Sequence, residues 1–193
     1  MEHQIVIAGF GGQGVLFAGQ LLAYSALEEG KHVTWIPAYG PEMRGGTANV
    51  TVIISDDEIG SPQVRNPTDV IVLNPPALTR YAPLVKPGGC LIVDATLIEQ
   101  RAGRSDIREI DLPAREIAQA LGFPQMANVV AIGALAAASG VLKLETLEKV
   151  LIAKTAKRPE MREANIAALR QGAAAVLSSK NDHPGSAGLV ILG

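Results

Sequence analysis

A glycine-rich segment near the N-terminus carries the first candidate chemistry. Gly9-Phe10-Gly11-Gly12-Gln13-Gly14 fits the spacing G-x-G-x-x-G and follows an apolar run, Gln4 to Ala8. In such a turn the glycines allow a tight bend, close approach of the backbone to a ligand and close packing of the next helix, whose N–H groups attract phosphate. The segment predicts a phosphate-binding turn, and a close strand–helix turn that binds nothing is the alternative. The candidate cofactor-binding residues are Gly9, Gly11, Gly12, Gln13 and Gly14.

Two absences bear on what this turn would bind. A dinucleotide-binding domain places an acidic residue about twenty residues further on, at the end of the second strand. Here that strand ends at Trp35-Ile36-Pro37-Ala38, without an acid. No Gly-Lys-Ser/Thr follows the glycines, so the segment is not a P-loop either. The sequence therefore disfavours an ordinary nicotinamide-dependent dehydrogenase.

A second unusual loop runs from Tyr39 to Gly46, Tyr-Gly-Pro-Glu-Met-Arg-Gly-Gly. In a parallel sheet it would lie just past the second strand and beside the glycine-rich turn, at the edge where such sheets bind ligands. Arg44 is the candidate ligand residue, because a guanidinium binds a phosphate or carboxylate through two hydrogen bonds. The alternative is a surface turn with a local Glu42–Arg44 pair, which contributes little stability.

The periodicity of the apolar residues predicts strands that alternate with helices. Expected strands cover 4–8, 31–36, 49–55, 70–73 and 91–94, and expected helices cover 15–29, 76–85, 113–121, 128–139, 144–155 and 159–178. This order is typical of a single Rossmann-like α/β domain with a mostly parallel sheet and helices on both faces. We expect that domain over 1–180, with a C-terminal tail over 181–193. Asp94 is expected to give polar support at the sheet edge or, in preference, to cap a helix from Thr96 onward, and Asn128 is expected to cap the helix that begins there. The arginines and acids between 101 and 116 predict a solvated charged region.

The composition excludes several classes of protein. The net charge of −2 argues against nucleic-acid and anionic-membrane binding, and no apolar run approaches 18 residues. The single cysteine, Cys90, cannot ligate an iron–sulfur cluster, which needs four, and the three histidines have no metal-ligand spacing. Only 19% of the residues are charged, which predicts a partner-covered surface. A cytoplasmic location is expected.

The two loops together resemble a known family. Gly9 to Val15, Tyr39 to Gly46 and Ser61-Pro62 look like the signature of the gamma subunit of 2-oxoacid:ferredoxin oxidoreductases. Asn74 with the turn 86–89, and Asn128 with 131–134, also fall where that family has similar residues. The resemblance covers about residues 4 to 180, and the combination of the two loops is far more specific than either alone.

The resemblance implies a function within a complex. These oxidoreductases decarboxylate a 2-oxoacid on thiamine diphosphate, pass electrons through iron–sulfur clusters to ferredoxin and form an acyl-coenzyme A. Thiamine diphosphate, Mg²⁺ and the clusters are expected on partner alpha, beta and, in some complexes, delta subunits. The gamma subunit is expected to hold no metal and no catalytic residue, to dock and gate beside the active site, and to be inactive alone. Enzymes for pyruvate, 2-oxoglutarate, ketoisovalerate and indolepyruvate share these motifs, so the 2-oxoacid stays open.

Two roles for the loops remain open at this point. In one, Gln13 and Arg44 bind phosphates of coenzyme A and so orient its thiol. In the other, both loops serve only as an interface with a partner subunit. The residues expected to contact a partner are Tyr39, Gly40, Pro41, Glu42, Met43, Gly45 and Gly46. A free-standing nucleotide- or coenzyme A-binding Rossmann-type protein and a structural homodimer are the alternatives to a subunit, and the isolated chain is expected to self-associate.

Overall fold

The computed structural model describes residues 1–39 and 46–181, with the backbone alone for Tyr39 and 179–181. The strands in this part of the chain are β1 (Glu2–Phe10), β2 (His32–Tyr39), β3 (Thr47–Ser55), β4 (Asp69–Val72), β5 (Cys90–Asp94) and β6 (Arg108–Leu112). The α-helices are α1 (Val15–Glu28), α2 (Pro75–Tyr81), α3 (Ala114–Ala120), α4 (Ala127–Ser139), α5 (Leu144–Lys154) and α6 (Arg162–Asn181). Short 3-10 helices lie at Ala82–Leu84, Pro124–Met126 and Pro159–Met161.

The strands form one sheet in the order β2-β3-β1-β4-β5-β6. Strands β1, β4, β5 and β6 pair in parallel, whereas β3 is antiparallel to both of its neighbours. The predicted mostly parallel α/β sheet is confirmed. Because β3 lies between β1 and β2, the end of β2 does not lie beside the glycine-rich turn as the second strand of a dinucleotide-binding sheet would. The absence of an acid at the end of β2 therefore agrees with the topology, which also differs from that of a dinucleotide-binding sheet.

Two hydrophobic clusters show that helices cover both faces of the sheet. Ile5 and Ile7 of β1 belong to the larger cluster, with residues of α1, α4, α5 and α6. Val6 and Ala8 point the other way into a smaller cluster with α2. This alternation follows from the two-residue period of a strand, and burial of both sets explains why the run from Ile5 to Ala8 is entirely apolar.

Strand β2 continues past Pro37, where the sequence predicts its end. Pro37 lies opposite Val50 in the ladder, and the strand runs on to Tyr39. Strand β2 is at the edge of the sheet, and a proline is tolerated there because the outward N–H groups of an edge strand need no ladder partner. The prediction failed because edge position cannot be read from a local pattern.

Strand β6 was not predicted, since its residues had been assigned to a solvated charged region. It forms the other edge of the sheet, and only Leu112 is fully buried. Its charged residues have partners within the fold: Glu109 accepts a hydrogen bond from the Ala102 N–H, and Arg108 donates one to the carbonyl of Ala138. Ile110 and Leu112 do alternate with Glu109 and Asp111, but the alternation covers only these four residues within a charged segment and is a weak strand signal.

Helices α4 and α6 touch through their backbones. A Cβ atom on Gly133 would lie 1.9 Å from the carbonyl oxygen of Leu169, and one on Gly172 would lie 1.9 Å from that of Val130. A side chain at either position would push the helices apart. Both glycines are therefore required by packing.

Candidate functional site

The glycine-rich turn connects β1 to α1 at the carboxyl edge of the sheet. Gly12 and Gly14 have φ angles of 96° and 73°, which L side chains rarely adopt. Gly14 is the N-cap of α1 and supplies no side-chain cap. The first-turn N–H groups of a helix lack intrahelical acceptors and carry partial positive charge. The predicted turn has the geometry that would present these groups to an anion.

The Gln13 side chain fastens this turn to the neighbouring strand. Its Oε1 atom accepts a hydrogen bond from the Phe10 N–H at 2.6 Å, and its Nε2 atom donates to the Leu73 carbonyl at 2.8 Å. The amide thereby links the ends of β1 and β4. Gln13 shapes the turn in this structure, and its contact with a phosphate stays a prediction.

Gly9 and Gly14 are required by side chains that approach them. A Cβ atom on Gly9 would lie 2.6 Å from Gln13 Oε1 and 3.1 Å from Leu73 Cβ. One on Gly14 would lie 2.3 Å from Asn128 Nδ2, which donates a hydrogen bond to the Gly14 carbonyl at 3.0 Å. Asn128 is buried within α4, whose N-cap is Met126. The expected capping role of Asn128 is thus wrong, because its side chain holds a turn 114 residues earlier.

The second loop touches the glycine-rich turn at its last residue. The Gly11 N–H donates to the Gly46 carbonyl at 2.9 Å, and Phe10 lies opposite Thr47 in the β1–β3 ladder. Tyr39 ends β2 and is described by its backbone alone. The other predicted residues of this loop, Gly40, Pro41, Glu42, Met43, Arg44 and Gly45, lie outside the described residues.

A crevice opens on the other side of the glycine-rich turn. It has a volume of about 310 Å³ and is called the Arg115 crevice below. Its lining brings together the ends of β1, β4 and β5 with the start of α3, in a region where the sheet order changes direction and where open α/β sheets bind ligands. The lining residues are Gly12, Gln13, Leu73, Asp94, Arg115, Pro124, Gln125 and Ala127.

Arg115 is the functional candidate that sequence reasoning missed. It had been counted among the solvated charges, yet its Nε atom is buried and has no hydrogen-bond partner among the described residues. A buried donor without an acceptor costs about 1–3 kcal/mol. The local charge pattern could not reveal this, since the crevice exists only where five segments of the chain meet.

Asp94 lies beside Arg115 as the last residue of β5. Its Oδ1 atom accepts hydrogen bonds from the N–H groups of Thr96 (3.3 Å) and Arg115 (3.4 Å), so it supports the first turn of α3. Asp94 therefore gives polar support, whereas the expected cap for a helix from Thr96 onward is wrong, because residues 95–97 form a turn and the next α-helix begins at Ala114. Burial raises the pKa of Asp94, and the hydrogen bonds and charge of Arg115 oppose this.

We expect Asp94→Asn to raise the free energy of unfolding at pH 7. The unfolded carboxyl ionises near its usual pKa of 3.8, below the folded value, so wild-type stability falls as the pH rises through the folded pKa. Asparagine keeps the Oδ1 acceptor and removes the buried charge, while the crevice leaves room to hydrate the new N–H groups. Urea denaturation at several pH values measures the difference, which should shrink toward zero below pH 3.8. A variant less stable at pH 7 would contradict this assignment.

Asn74 follows β4 at the same edge and is 1% exposed. Its Oδ1 atom accepts from the Ala77 N–H at 2.8 Å and so caps α2, but its Nδ2 atom has no partner among the described residues. The carboxyl edge therefore holds two buried nitrogen donors, on Asn74 and Arg115, that the described part of the protein leaves unsatisfied.

Two larger cavities, of about 860 and 410 Å³, lie at the opposite edge of the sheet. Several polar groups in their linings pair with one another. His3 Nδ1 lies 2.9 Å from Asp69 Oδ2, the Thr68 hydroxyl donates to the same oxygen, and Gln4 donates to Glu2. These cavities are larger than the Arg115 crevice, but the buried nitrogen donors without acceptors lie at the carboxyl edge. Because buried polar groups normally have a hydrogen-bond partner, these donors favour the smaller crevice as the candidate ligand site.

Comparison with known proteins places the fold in a family. A model described as pyruvate ferredoxin/flavodoxin oxidoreductase matches residues 4–175. The 2-oxoglutarate synthase subunit KorC of Methanothermobacter marburgensis is 37% identical over 179 residues, which cover 89% of this chain and 95% of that protein. The gamma subunit of a keto/oxoacid ferredoxin oxidoreductase from Geobacter sulfurreducens has a TM-score of 0.78 at 31% identity, covering 91% of this chain and 99% of that one.

The chain therefore belongs to the pyruvate ferredoxin/flavodoxin oxidoreductase family. The resemblance to gamma subunits that the two loops predicted is confirmed. The ketoisovalerate oxidoreductase subunit VorA of Methanothermobacter thermautotrophicus is 44% identical over 136 residues, and the match spans only 28% of that relative's length. Among the described residues, no helix is both long and apolar enough to cross a membrane.

Proposed function

We propose that this chain is the gamma-type subunit of a thiamine-diphosphate-dependent 2-oxoacid:ferredoxin oxidoreductase, which forms an acyl-coenzyme A and reduces ferredoxin. The observation that carries the proposal is the match to a whole subunit: KorC and this chain align over 95% and 89% of their lengths. The complex is proposed to act in the cytoplasm.

The chain itself is proposed to dock onto its partner subunits and to gate the active site beside it. The catalytic chemistry is proposed to take place on the partner subunits. Its one cysteine is buried, and burial, followed by the charge of Asp69, raises the pKa of the Cys90 thiol to about 12. Such a thiol is a poor nucleophile at neutral pH. Thiamine diphosphate, Mg²⁺ and the clusters are assigned to alpha, beta and, where present, delta subunits, and ferredoxin is reached through the complex.

The partner-facing surface in this proposal is the carboxyl edge of the sheet. The contact between Gly11 and Gly46 supports treating the glycine-rich turn and the loop from Tyr39 to Gly46 as one surface. Backbone N–H groups of the turn and the Arg44 guanidinium would hold phosphates of coenzyme A. That binding would orient the thiol toward the thiamine-bound intermediate on the partner.

Co-expression tests the proposal. The tagged chain is produced with its alpha and beta partners, and the purified complex is assayed for viologen or ferredoxin reduction. The panel contains 2-oxoglutarate, ketoisovalerate and pyruvate, each with and without coenzyme A. We expect a stable complex whose coenzyme A-dependent activity is lost when this chain is omitted. Full activity without this chain, or a chain that turns over substrate alone, would refute the subunit role.

Replacing Arg44 with alanine separates ligand binding from assembly. If Arg44 binds a phosphate, the KM for coenzyme A should rise about 10- to 100-fold in an intact complex, because charge-assisted hydrogen bonds are lost. Size-exclusion chromatography measures assembly in the same preparation, and replacement of an exposed arginine elsewhere in the chain, Arg158→Ala, is the control. An unchanged KM with failed assembly would assign Arg44 to the interface instead.

A further inference from the structure

The smaller of the two cavities at the opposite edge of the sheet brings charges of both signs together. It has a volume of about 410 Å³ and is called the amino-edge cavity below. We propose that this cavity binds an α-amino acid, with Asp69 as the acceptor for the ammonium group and with Lys86 and Arg108 as donors to the carboxylate. The proposal goes beyond the subunit role and does not rest on it, since it is tested on the chain alone.

The parallel strands fix where the charges of the lining lie. Asp69, Cys90 and Arg108 are the first residues of β4, β5 and β6, and they are register partners across the three strands. Their side chains therefore point to the same face of the sheet. Since neighbouring strands are about 4.8 Å apart, the backbones that carry the carboxylate and the guanidinium are separated by about 10 Å. This distance leaves a gap between the two charges, and they form no direct ion pair.

Asp69 provides an acceptor that the described part of the fold leaves unused. The residue is 3% exposed. His3 Nδ1 lies 2.9 Å from its Oδ2 atom, and the Thr68 hydroxyl donates to the same oxygen at 2.7 Å. Its Oδ1 atom has no hydrogen-bond partner among the described residues. Because buried carboxylate oxygens normally accept hydrogen bonds, Oδ1 is available to an N–H group of a bound ammonium.

Lys86 and Arg108 provide the positive side of the cavity. Neither forms an ion pair with a described carboxylate. Arg108 donates one hydrogen bond to the Ala138 carbonyl at 3.1 Å, which holds its side chain against the end of α4. Its other N–H groups remain available, and a guanidinium fork matches the two oxygens of a carboxylate.

The mixture of charges indicates the class of ligand. A simple anion would be repelled by Asp69, and a simple cation by Lys86 and Arg108. A metal ion is not favoured either, since the described residues contain no group of three or more His, Cys, Asp or Glu side chains that could hold one. A ligand with an ammonium and a carboxylate group on the same carbon satisfies both signs. The cavity lies within the range for small-molecule sites, roughly 300–1,000 Å³.

Calorimetric titration of the full chain at pH 7 tests the proposal. The probes are L-alanine, L-valine and L-glutamate, each with two matched compounds. The 2-oxoacid of the same skeleton keeps the carboxylate but lacks the ammonium, and the amine left by removal of the α-carboxyl group keeps only the ammonium at that carbon. We expect at least one amino acid to bind with a Kd below about 1 mM, and both of its matched compounds to bind about 10-fold more weakly or worse.

Two substitutions place the binding in this cavity. Asp69→Asn removes the negative charge and should weaken amino-acid binding about 10-fold or more. Lys86→Ala should weaken it about 10-fold, and because Lys86 is exposed, this variant is expected to fold even if Asp69→Asn does not. Lys157→Ala, which removes an exposed lysine elsewhere in the chain, is the control and should bind as wild type does. Circular dichroism checks the fold of each variant.

The opposite results would overturn the proposal. Failure of all three amino acids to bind would mean that the cavity is not an amino-acid site. Equal affinity for the 2-oxoacid would mean an anion site in which Asp69 has no part, and equal affinity for the amine would exclude the two cations. Unchanged affinity in a folded Lys86→Ala variant would place the binding elsewhere. None of these results bears on the subunit role, which is measured on the assembled complex.

Discussion

Replacing Gly133 with alanine is expected to destabilise the protein by about 3 kcal/mol or more, the upper range for overpacking a core. The added Cβ would lie 1.9 Å from the Leu169 carbonyl oxygen and 2.8 Å from its carbonyl carbon. Both atoms belong to the backbone of α6, so no rotamer change can relieve the contact. Alanine has the better helix propensity by about 1 kcal/mol, and this gain is smaller than the expected packing loss.

Urea denaturation, followed by circular dichroism, measures the effect. Gly60→Ala is the matched control, because Gly60 has an ordinary φ angle and nothing within 4 Å of a Cβ atom. Gly172→Ala should match Gly133→Ala, since its Cβ would lie 1.9 Å from the Val130 carbonyl oxygen on the other helix. A loss at Gly133 no larger than that at Gly60 would show that α4 and α6 do not pack through these glycines.

The sequence predicted the parts of the fold that local patterns encode. The apolar run of β1, the 3.6-residue period of α1 and the glycine spacing between them act within about thirty residues. All three appear at the predicted positions, with boundaries shifted by one or two residues. The family resemblance rested on the same short-range features, and the comparisons confirmed it.

The predictions that failed concern features that depend on position in the sheet or on contacts between residues distant in the sequence. Pro37 and β6 were misjudged because only the finished sheet shows which strands are its edges. The role of Asn128 depends on Gly14, and the exposure of Arg115 depends on how α3 meets β5 and the turn before α4. From residue type alone, Asn128 was expected to cap a helix and Arg115 to be a solvated charge. Tertiary packing overrode both.

Gly14→Ala is expected to damage the glycine-rich turn through two separable effects. The first is the left-handed backbone at φ 73°, which costs an L residue about 1–2 kcal/mol. The second is the Cβ contact at 2.3 Å with Asn128 Nδ2. Asn128 is 5% exposed, so its amide has little room to move, and displacing it would break its hydrogen bond to the Gly14 carbonyl. We expect a total loss of about 2–4 kcal/mol.

Gly30→Ala isolates the first effect. Gly30 has a φ angle of 72°, and nothing lies within 4 Å of its Cβ position, so its variant reports backbone strain alone. The excess loss of Gly14→Ala over Gly30→Ala should be about 1–2 kcal/mol, and it measures the contact with Asn128.

A double-mutant cycle then tests whether Asn128 is the cause. Asn128→Ala alone should cost about 1 kcal/mol, since the Gly14 carbonyl still accepts from the Ala18 N–H. In that background Gly14→Ala should lose its excess and cost only as much as Gly30→Ala, because the obstructing amide is gone. Additive losses would instead mean that the turn relaxes away from α4 without strain. In that case the conformation of the glycine-rich turn would not depend on the long-range contact between Gly14 and Asn128.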